Sequence, residues 1–209
     1  PESKSIKVQL DTLRTYLGIE TDPADALSKI PDTRVSGSCS WLTNSVSYKS
    51  WLDSPSPRYF WLEGAPGAGK TMLTTHVIEE LREAPACYYF FEGGESSSSN
   101  LGSFLSSMAY QMALVNPDVR VALLGLVQQG IKLTTRNFRS LWQSVFVGCI
   151  FHQKFKKRKY VLTASSAKTL TQLLSHYWIM DALDEFVDGG PVDEYFSIIS
   201  KIDENIPLK

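Results

Sequence analysis

Apolar side chains near the start of the chain recur with a helical period. Those at positions 6, 10, 13 and 17 fall on one face, which predicts an amphipathic helix that ends before Gly18. Residues 31–40 are rich in turn-forming side chains and predict a loop. We interpret residues 1–33 as a helical and loop segment, and we place the main domain at residues 34–209.

Two apolar runs enclose a glycine-rich stretch between residues 59 and 91. Residues 59–62 (YFWL) follow a turn-rich segment and predict a buried strand. Between Thr71 and Pro85 the apolar side chains fall on one helical face, and residues 87–91 (CYYFF) predict a second strand. A strand, a helix and a strand in this order are typical of a βαβ unit, so we expect a parallel sheet.

Helical periods dominate the middle of the chain. The predicted helices cover residues 41–52, 101–115 and 118–129. A further helix is predicted to begin at Thr135 or Asn137, because both are capping residues, and to run through Trp142. The apolar run 177–180 (YWIM) predicts a third strand, which leads directly into Asp181.

Residues 144–176 interrupt this pattern. The stretch is first rich in lysine and arginine and then rich in serine and threonine, without a clear amphipathic period. We interpret it as an insertion in the domain, and translated non-coding sequence is one possible origin. Its basic run at residues 154–159 is interpreted as a solvated loop and not as a nucleic-acid patch.

The composition is that of a globular domain, with 43% hydrophobic residues, 21% charged residues and a formal net charge of -1. This charge balance argues against duplex nucleic acid or an anionic membrane as a partner of the whole chain. No apolar run approaches the roughly 18 residues that span a bilayer. The three cysteines lack CxxC or Cys/His spacing, which favours reduced thiols and a cytoplasmic location over a disulfide framework or a zinc site.

The glycine-rich stretch fits the P-loop pattern G-x-x-x-x-G-K-[ST] in full. Its glycines allow unusual backbone dihedrals and a close approach of main-chain N–H groups to phosphate oxygens. The helix that follows offers unpaired N–H groups and the positive end of its dipole to an anion. The predicted phosphate-binding residues are Gly64, Ala65, Pro66, Gly67, Ala68, Gly69, Lys70 and Thr71. Lys70 supplies a charge to the β- and γ-phosphates, and the Thr71 hydroxyl is a candidate magnesium ligand.

Acidic residues follow the third predicted strand. Asp181 at the end of an apolar strand has the position that a second magnesium ligand needs, because the strand holds it at the carboxyl edge of the sheet. Asp184 and Glu185 lie three and four residues further on. They are candidate catalytic residues that orient a water near the γ-phosphate.

The layout resembles the NACHT branch of the STAND NTPases, and most closely the nephrocystin-like N-terminal NTPase modules of fungal NOD-like receptors. The sequence DALDE at residues 181–185 is quite specific for this group. The stretches that carry the resemblance are residues 38–42, 51–52, 61–71, 88–91, 106–112, 116–117 and 181–185.

The resemblance implies an α/β fold, a three-layer P-loop NTPase with a mostly parallel sheet, here truncated at its C-terminal side. It implies a signalling switch that binds ATP with Mg²⁺, hydrolyses it slowly and self-associates through the NTPase domain of a repeat-containing parent protein. By the same resemblance Asp181 coordinates magnesium, while Asp184 and Glu185 serve hydrolysis. Arg34 lies where related proteins contact the adenine or the phosphates.

Two other functions remain open at this point. One is a non-catalytic interaction module, motivated by the end of the chain at Lys209 and by the long spacing between Lys70 and Asp181. The other is a P-loop kinase for a small molecule, with residues 131–159 as its candidate lid. The acidic cluster fits activation of water better than binding of an acceptor.

Three tryptophans lie close to the P-loop in the sequence. We expect Trp41, Trp51 and Trp61 in the core, with walls of a nucleotide pocket as the alternative. His76 lies in the helix that follows the P-loop. We interpret it as a histidine whose ring is hydrogen-bonded within the fold or exposed at the surface, and not as a catalytic base.

Overall fold

The computed structural model describes residues 2–31, 33–53, 59–92, 100–133, 137–152, 176–183 and 197. Nine helical segments and two strands lie in these ranges. The α-helices are α1 (Glu2–Leu17), α2 (Pro23–Ser28), α3 (Ser40–Asn44), α4 (Val46–Asp53), α5 (Lys70–Glu80), α6 (Leu101–Val115), α7 (Pro117–Gln128) and α8 (Phe138–Leu141). A π-helix covers Trp142–Ile150, and the strands are β1 (Ala86–Phe90) and β2 (Tyr177–Asp181).

Asparagine side chains determine where several helices begin. Asn100 accepts a hydrogen bond from the Ser103 N–H at 2.7 Å, so that α6 begins at the predicted residue. Asn116 ends α6, and its side chain accepts from the Asp118 N–H at 3.0 Å to cap α7. Asn137, one of the two predicted caps, accepts from the Ser140 N–H at 3.1 Å.

The two strands pair in parallel, with Ala86 opposite Tyr177 and Phe90 opposite Asp181. Successive side chains of a strand point to opposite faces, and β2 follows this rule. Tyr177 and Ile179 pack in one apolar cluster with Trp51 of α4, whereas Trp178 and Met180 pack against a larger cluster built around α6. Helices therefore cover both faces of this parallel pair, as an α/β fold requires.

The larger cluster contains most of α6, from Leu101 to Ala113, together with side chains of α7 and the π-helix. It also contains Leu13 and Leu17 of α1, both 0% exposed. The N-terminal helix predicted from the apolar period is thus present and is part of the main core. Among the residues that the structure describes, no helix has the length and apolar character needed to cross a bilayer.

Three predicted elements differ from the observed ones. Residues 59–62 do not form a strand: Tyr59 and Trp61 are exposed, while Phe60 and Leu62 pack on the smaller cluster. In the described ranges only β1 and β2 form a ladder, and side-chain alternation without a ladder partner does not make a strand.

The single helix predicted over residues 41–52 is two helices. Ser45 has an extended backbone that ends α3, and its hydroxyl accepts a hydrogen bond from the Tyr48 N–H at 3.2 Å to cap α4. The helix predicted to end near Trp142 continues as the π-helix to Ile150, because Val145, Phe146 and Ile150 are fully buried in the core. Residues 153–175, most of the predicted insertion, lie outside the described ranges.

The three tryptophans do not share one environment. Trp51 is buried at 9% exposure, as predicted, whereas Trp41 and Trp61 are each 58% exposed and do not belong to the core. The Trp61 indole N–H donates to the Glu63 carboxylate at 2.7 Å, so this side chain is anchored at the surface beside the P-loop. The expectation of burial was wrong for Trp41 and Trp61, because the residue type alone does not show whether a tryptophan faces the core or the solvent.

Candidate functional site

The predicted P-loop forms a turn that leads directly into α5. Gly67 and Gly69 have φ values of 76° and 82°, in the left-handed region that glycine adopts without strain. Nothing lies within 4 Å of a Cβ built on either residue, so the backbone conformation, and not lack of space, requires glycine there. The Ala68 N–H donates to the Ala65 carbonyl at 3.1 Å and closes the turn.

Helix α5 begins at Lys70 without a side-chain cap. Gly69 is its N-cap residue and has no side chain to accept the N–H groups of the first turn. Four N–H groups at a helix start lack intrahelical partners, and the helix dipole adds a partial positive charge. A phosphate is the type of ligand that satisfies both, so the start of α5 fits the predicted anion site.

The Lys70 side chain folds back over the loop. Its Nζ donates to the Gly64 carbonyl at 2.8 Å and to the Ala65 carbonyl at 3.3 Å. An ammonium group has three donors, so two of them are engaged by the loop that precedes the helix. Lys70 therefore lies at the P-loop. Its partners are neutral carbonyl oxygens, and a charged phosphate would compete strongly with them for the ammonium group.

Asp181 closes β2 and is 7% exposed. Its Oδ1 accepts a hydrogen bond from the Thr74 hydroxyl of α5 at 3.2 Å. Thr74 lies one helical turn after Thr71, so this contact joins the end of the strand to the first turns of the P-loop helix. Ala182 follows directly after the strand with a φ of 55°, an uncommon value for a residue with a Cβ.

The surroundings of Asp181 fit a cation. The ion pairs among the described residues join Arg14 to Asp22 and Arg34 to Glu79, and neither involves Asp181. Buried carboxylates are usually paired or bound to metal, because burial without compensation is costly. No group of three or more His, Cys, Asp or Glu suited to a metal occurs in the described ranges. A single carboxylate with phosphate oxygens and waters is the arrangement that Mg²⁺ commonly accepts.

The predicted catalytic residues Asp184 and Glu185 lie outside the described residues. Of the predicted site residues that the structure describes, the loop and Lys70 lie at the start of α5. Asp181 contacts the same helix through Thr74. Thr71 occupies the first turn of α5 and is half-buried. Its predicted metal contact stays a prediction.

Sequence reasoning missed how the first segment of the domain, residues 34–43, packs on α5. The Arg34 guanidinium donates to the Glu79 carboxylate at 2.7 Å, and the Thr43 hydroxyl lies 3.3 Å from the His76 ring nitrogen Nε2. The segment thus runs along one stripe of α5. Glu79 lies about 13 Å along the helix axis from Lys70, at 1.5 Å per residue. The Arg34 guanidinium is therefore paired at the far end of the helix, away from the predicted phosphate site.

Thr74 contacts both Lys70 and Asp181 and is not part of the P-loop motif. The signal in the sequence is a hydroxyl three residues after Thr71, on the same side of an amphipathic helix. That spacing is common in helices and becomes informative only when the position of Asp181 is known. Sequence separation hides the contact, since the two positions are 107 residues apart in the chain.

Comparison with known proteins identifies relatives of this chain. A family model described as Nephrocystin 3, N-terminal, matches residues 37–209. The vegetative incompatibility protein HET-E-1 of Podospora anserina is 27% identical over 104 residues, a match that covers 46% of this chain and 8% of that protein. No solved structure matches significantly. These matches confirm the NACHT-type resemblance read from the motifs, and the chain spans only a small part of the relative's length.

Proposed function

The chain belongs to the Nephrocystin 3, N-terminal family, and we propose that it binds ATP with Mg²⁺ as a nucleotide-dependent signalling switch. The observation that carries the proposal is the hydrogen bond between Thr74 and the buried Asp181 carboxylate, at 3.2 Å. It joins the end of β2 to the helix that follows the P-loop. An anion site and a buried carboxylate at adjoining ends of a helix and a strand suit a metal-bound polyphosphate.

Each part of the chain has a distinct task in this proposal. The main-chain N–H groups of residues 64–71 hold the phosphates, and the Lys70 ammonium leaves the Gly64 and Ala65 carbonyls to bind the β- and γ-phosphates. Thr71 and Asp181 would hold Mg²⁺. The metal would supply positive charge to neutralise the negative charge that develops on the phosphate. Asp184 and Glu185 are proposed to orient the attacking water in slow hydrolysis.

The proposal includes the fold and the setting of the parent protein. We propose a three-layer P-loop domain, supported by helices on both faces of the β1–β2 pair. We also propose self-association through this domain in the parent protein, which the family resemblance supports. A cytoplasmic location is supported by three buried cysteines that form no disulfide among the described residues, since thiols remain reduced in that compartment.

The test is titration of the 209-residue chain with ATP and Mg²⁺ by calorimetry, before and after Lys70→Met. Methionine keeps the length of the side chain and removes its charge. Each hydrogen bond to a charged group contributes about 1.5–3 kcal/mol, so loss of two contacts to phosphate lowers the affinity by about 10²–10⁴-fold.

Lys49→Met is the matched control, because Lys49 is an exposed lysine of α4 that donates to Asn44 at 3.4 Å. It should bind ATP like the unaltered chain. Circular dichroism of each variant checks the fold. Equal affinities of the Lys70→Met variant and the unaltered chain would contradict the proposed site, and no ATP binding by the unaltered chain would instead favour an interaction module.

A further inference from the structure

The Thr74 hydroxyl lies between two acceptors at almost equal distances. It donates to the Lys70 carbonyl at 3.1 Å and is 3.2 Å from Oδ1 of Asp181. The hydroxyl has one proton to share between the main chain of the P-loop lysine and the buried carboxylate. One side chain thus connects the phosphate-binding loop with the candidate metal ligand.

The position in the helix sets the direction of this hydroxyl. A threonine in a helix populates few χ1 rotamers, and one of them is stabilised when Oγ1 bonds the carbonyl four residues earlier. Thr74 makes this bond to Lys70, and the same rotamer brings Oγ1 to Asp181. The donor is therefore oriented by its own helix before the carboxylate meets it.

The hydrogen bond engages one oxygen of the carboxylate. Oδ1 of Asp181 accepts from Thr74, which leaves the second oxygen for another ligand. A side chain of aspartate that is fixed at one oxygen loses less freedom when the other oxygen binds a metal, and supporting residues of this kind tune metal affinity.

We propose that Thr74 is a positioning residue for the magnesium ligand Asp181. The inference rests on the proposed function, since it assigns to Thr74 a role in metal-dependent nucleotide binding. Thr74 contacts neither phosphate nor metal in this assignment. It acts through the carboxylate, and its removal lowers the gain in nucleotide affinity that Mg²⁺ provides.

The experiment measures that gain directly. The dissociation constant of ATPγS, a slowly hydrolysed analogue, is measured for the full chain with Mg²⁺ and again with EDTA, and the ratio is the gain. Thr74→Val keeps the shape of the side chain and removes the donor. We expect its gain to fall about tenfold, the size of one hydrogen bond to a charged group, with unchanged affinity in EDTA.

Two further variants test whether the hydroxyl is responsible. Thr74→Ser keeps the donor and should restore most of the gain. Thr75→Val removes a neighbouring buried hydroxyl that donates only to the Met72 carbonyl at 2.9 Å, and its gain should equal that of the unaltered chain. If Thr74→Val does not fold, Thr74→Ala removes the same donor with a better helix former.

The outcomes separate this inference from the proposed function. A full Mg²⁺ gain in both Thr74→Val and Thr74→Ala would overturn the positioning role while ATP binding stands. Equal losses with Mg²⁺ and with EDTA would also overturn it, because they show that Thr74 only holds α5 against β2. No ATPγS binding by the unaltered chain would refute the proposed function itself.

Discussion

The side-chain amide of Gln111 satisfies the main chain of β1 at its outer edge. Its Oε1 accepts from the Tyr88 N–H at 3.0 Å, and its Nε2 donates to the Tyr88 carbonyl at 2.8 Å. Nε2 also donates to the Ser107 hydroxyl at 3.1 Å, and Gln111 is 5% exposed. The amide thus takes the place of a neighbouring strand at this residue. We predict that Gln111→Met destabilises the protein by about 1–3 kcal/mol.

The magnitude follows from the groups that lose their partners. Methionine matches glutamine in length, so the packing of α6 is retained while the N–H and the carbonyl of Tyr88 are left unsatisfied. Each buried orphan group costs about 1–3 kcal/mol, and Tyr88 is only half-buried, so the lower part of that range applies. Burial of the apolar methionine returns roughly 1 kcal/mol.

Urea unfolding followed by circular dichroism measures the effect. With a slope of about 2 kcal/mol per M, the expected loss moves the midpoint down by about 0.5–1.5 M. Gln128→Met, at an exposed position at the end of α7, is the matched control and should stay within about 0.5 kcal/mol of the unaltered chain. Equal midpoints for the Gln111→Met variant and the unaltered chain would mean that water, not the amide, satisfies Tyr88, and the reasoning would fail.

Two further predictions concern the loop and a buried thiol. Gly67→Ala places a Cβ at a φ of 76° and should lower the free energy of unfolding by about 1–2 kcal/mol, measured by thermal unfolding. Gly125→Ala, inside α7, is the control and should raise it by about 0.5–1 kcal/mol. A Gly67→Ala variant as stable as the unaltered chain would contradict the observed turn. Burial raises the pKa of Cys87 from 9.0 to about 12, so the folded state disfavours the thiolate. The contribution of this thiol to stability is complete below its pKa in the unfolded chain and is lost as the pH rises towards its pKa in the folded protein. We expect the free energy of unfolding to fall by about 1.4 kcal/mol from this group between pH 8 and 10, measured by urea unfolding. The Cys87→Ala variant should lack this loss. The same pH slope in both proteins would exclude Cys87 as its source.

The helices were predicted well where local signals agree. Residues 101–115 have an apolar period, a capping asparagine before them and an Asn-Pro pair after them, and α6 has these bounds. The break at Ser45 could not be predicted, because serine fits both a helix interior and a cap. The strand at residues 59–62 was wrong because an apolar run cannot reveal whether a ladder partner lies beside it.

The candidate site was predictable where the chemistry is local. Residues 64–71 lie next to one another, so the motif alone indicates an anion site, and the glycine dihedrals agree with it. The Thr74–Asp181 contact could not be predicted, because it depends on how a strand and a helix pack. The pairing of Arg34 with Glu79 is equally non-local, and it does not follow from the family position of the arginine.

The direction of Asp181 is set by the apolar side chains that precede it. Along β2, Tyr177 and Ile179 face the smaller cluster, which includes Leu73 and Val77 of α5. Asp181 has the same parity, so alternation directs its carboxylate to the α5 side, where Thr74 meets it. A register slip of one residue would turn it to the face of the α6 cluster. The Phe91 N–H donates to the Asp181 carbonyl at 3.1 Å and holds the register at that end. The hydrophobic pattern of β2 therefore determines where the Asp181 carboxylate lies. The buried apolar residues of the strand fix which face of the sheet packs on α5, and Asp181 points to that same face.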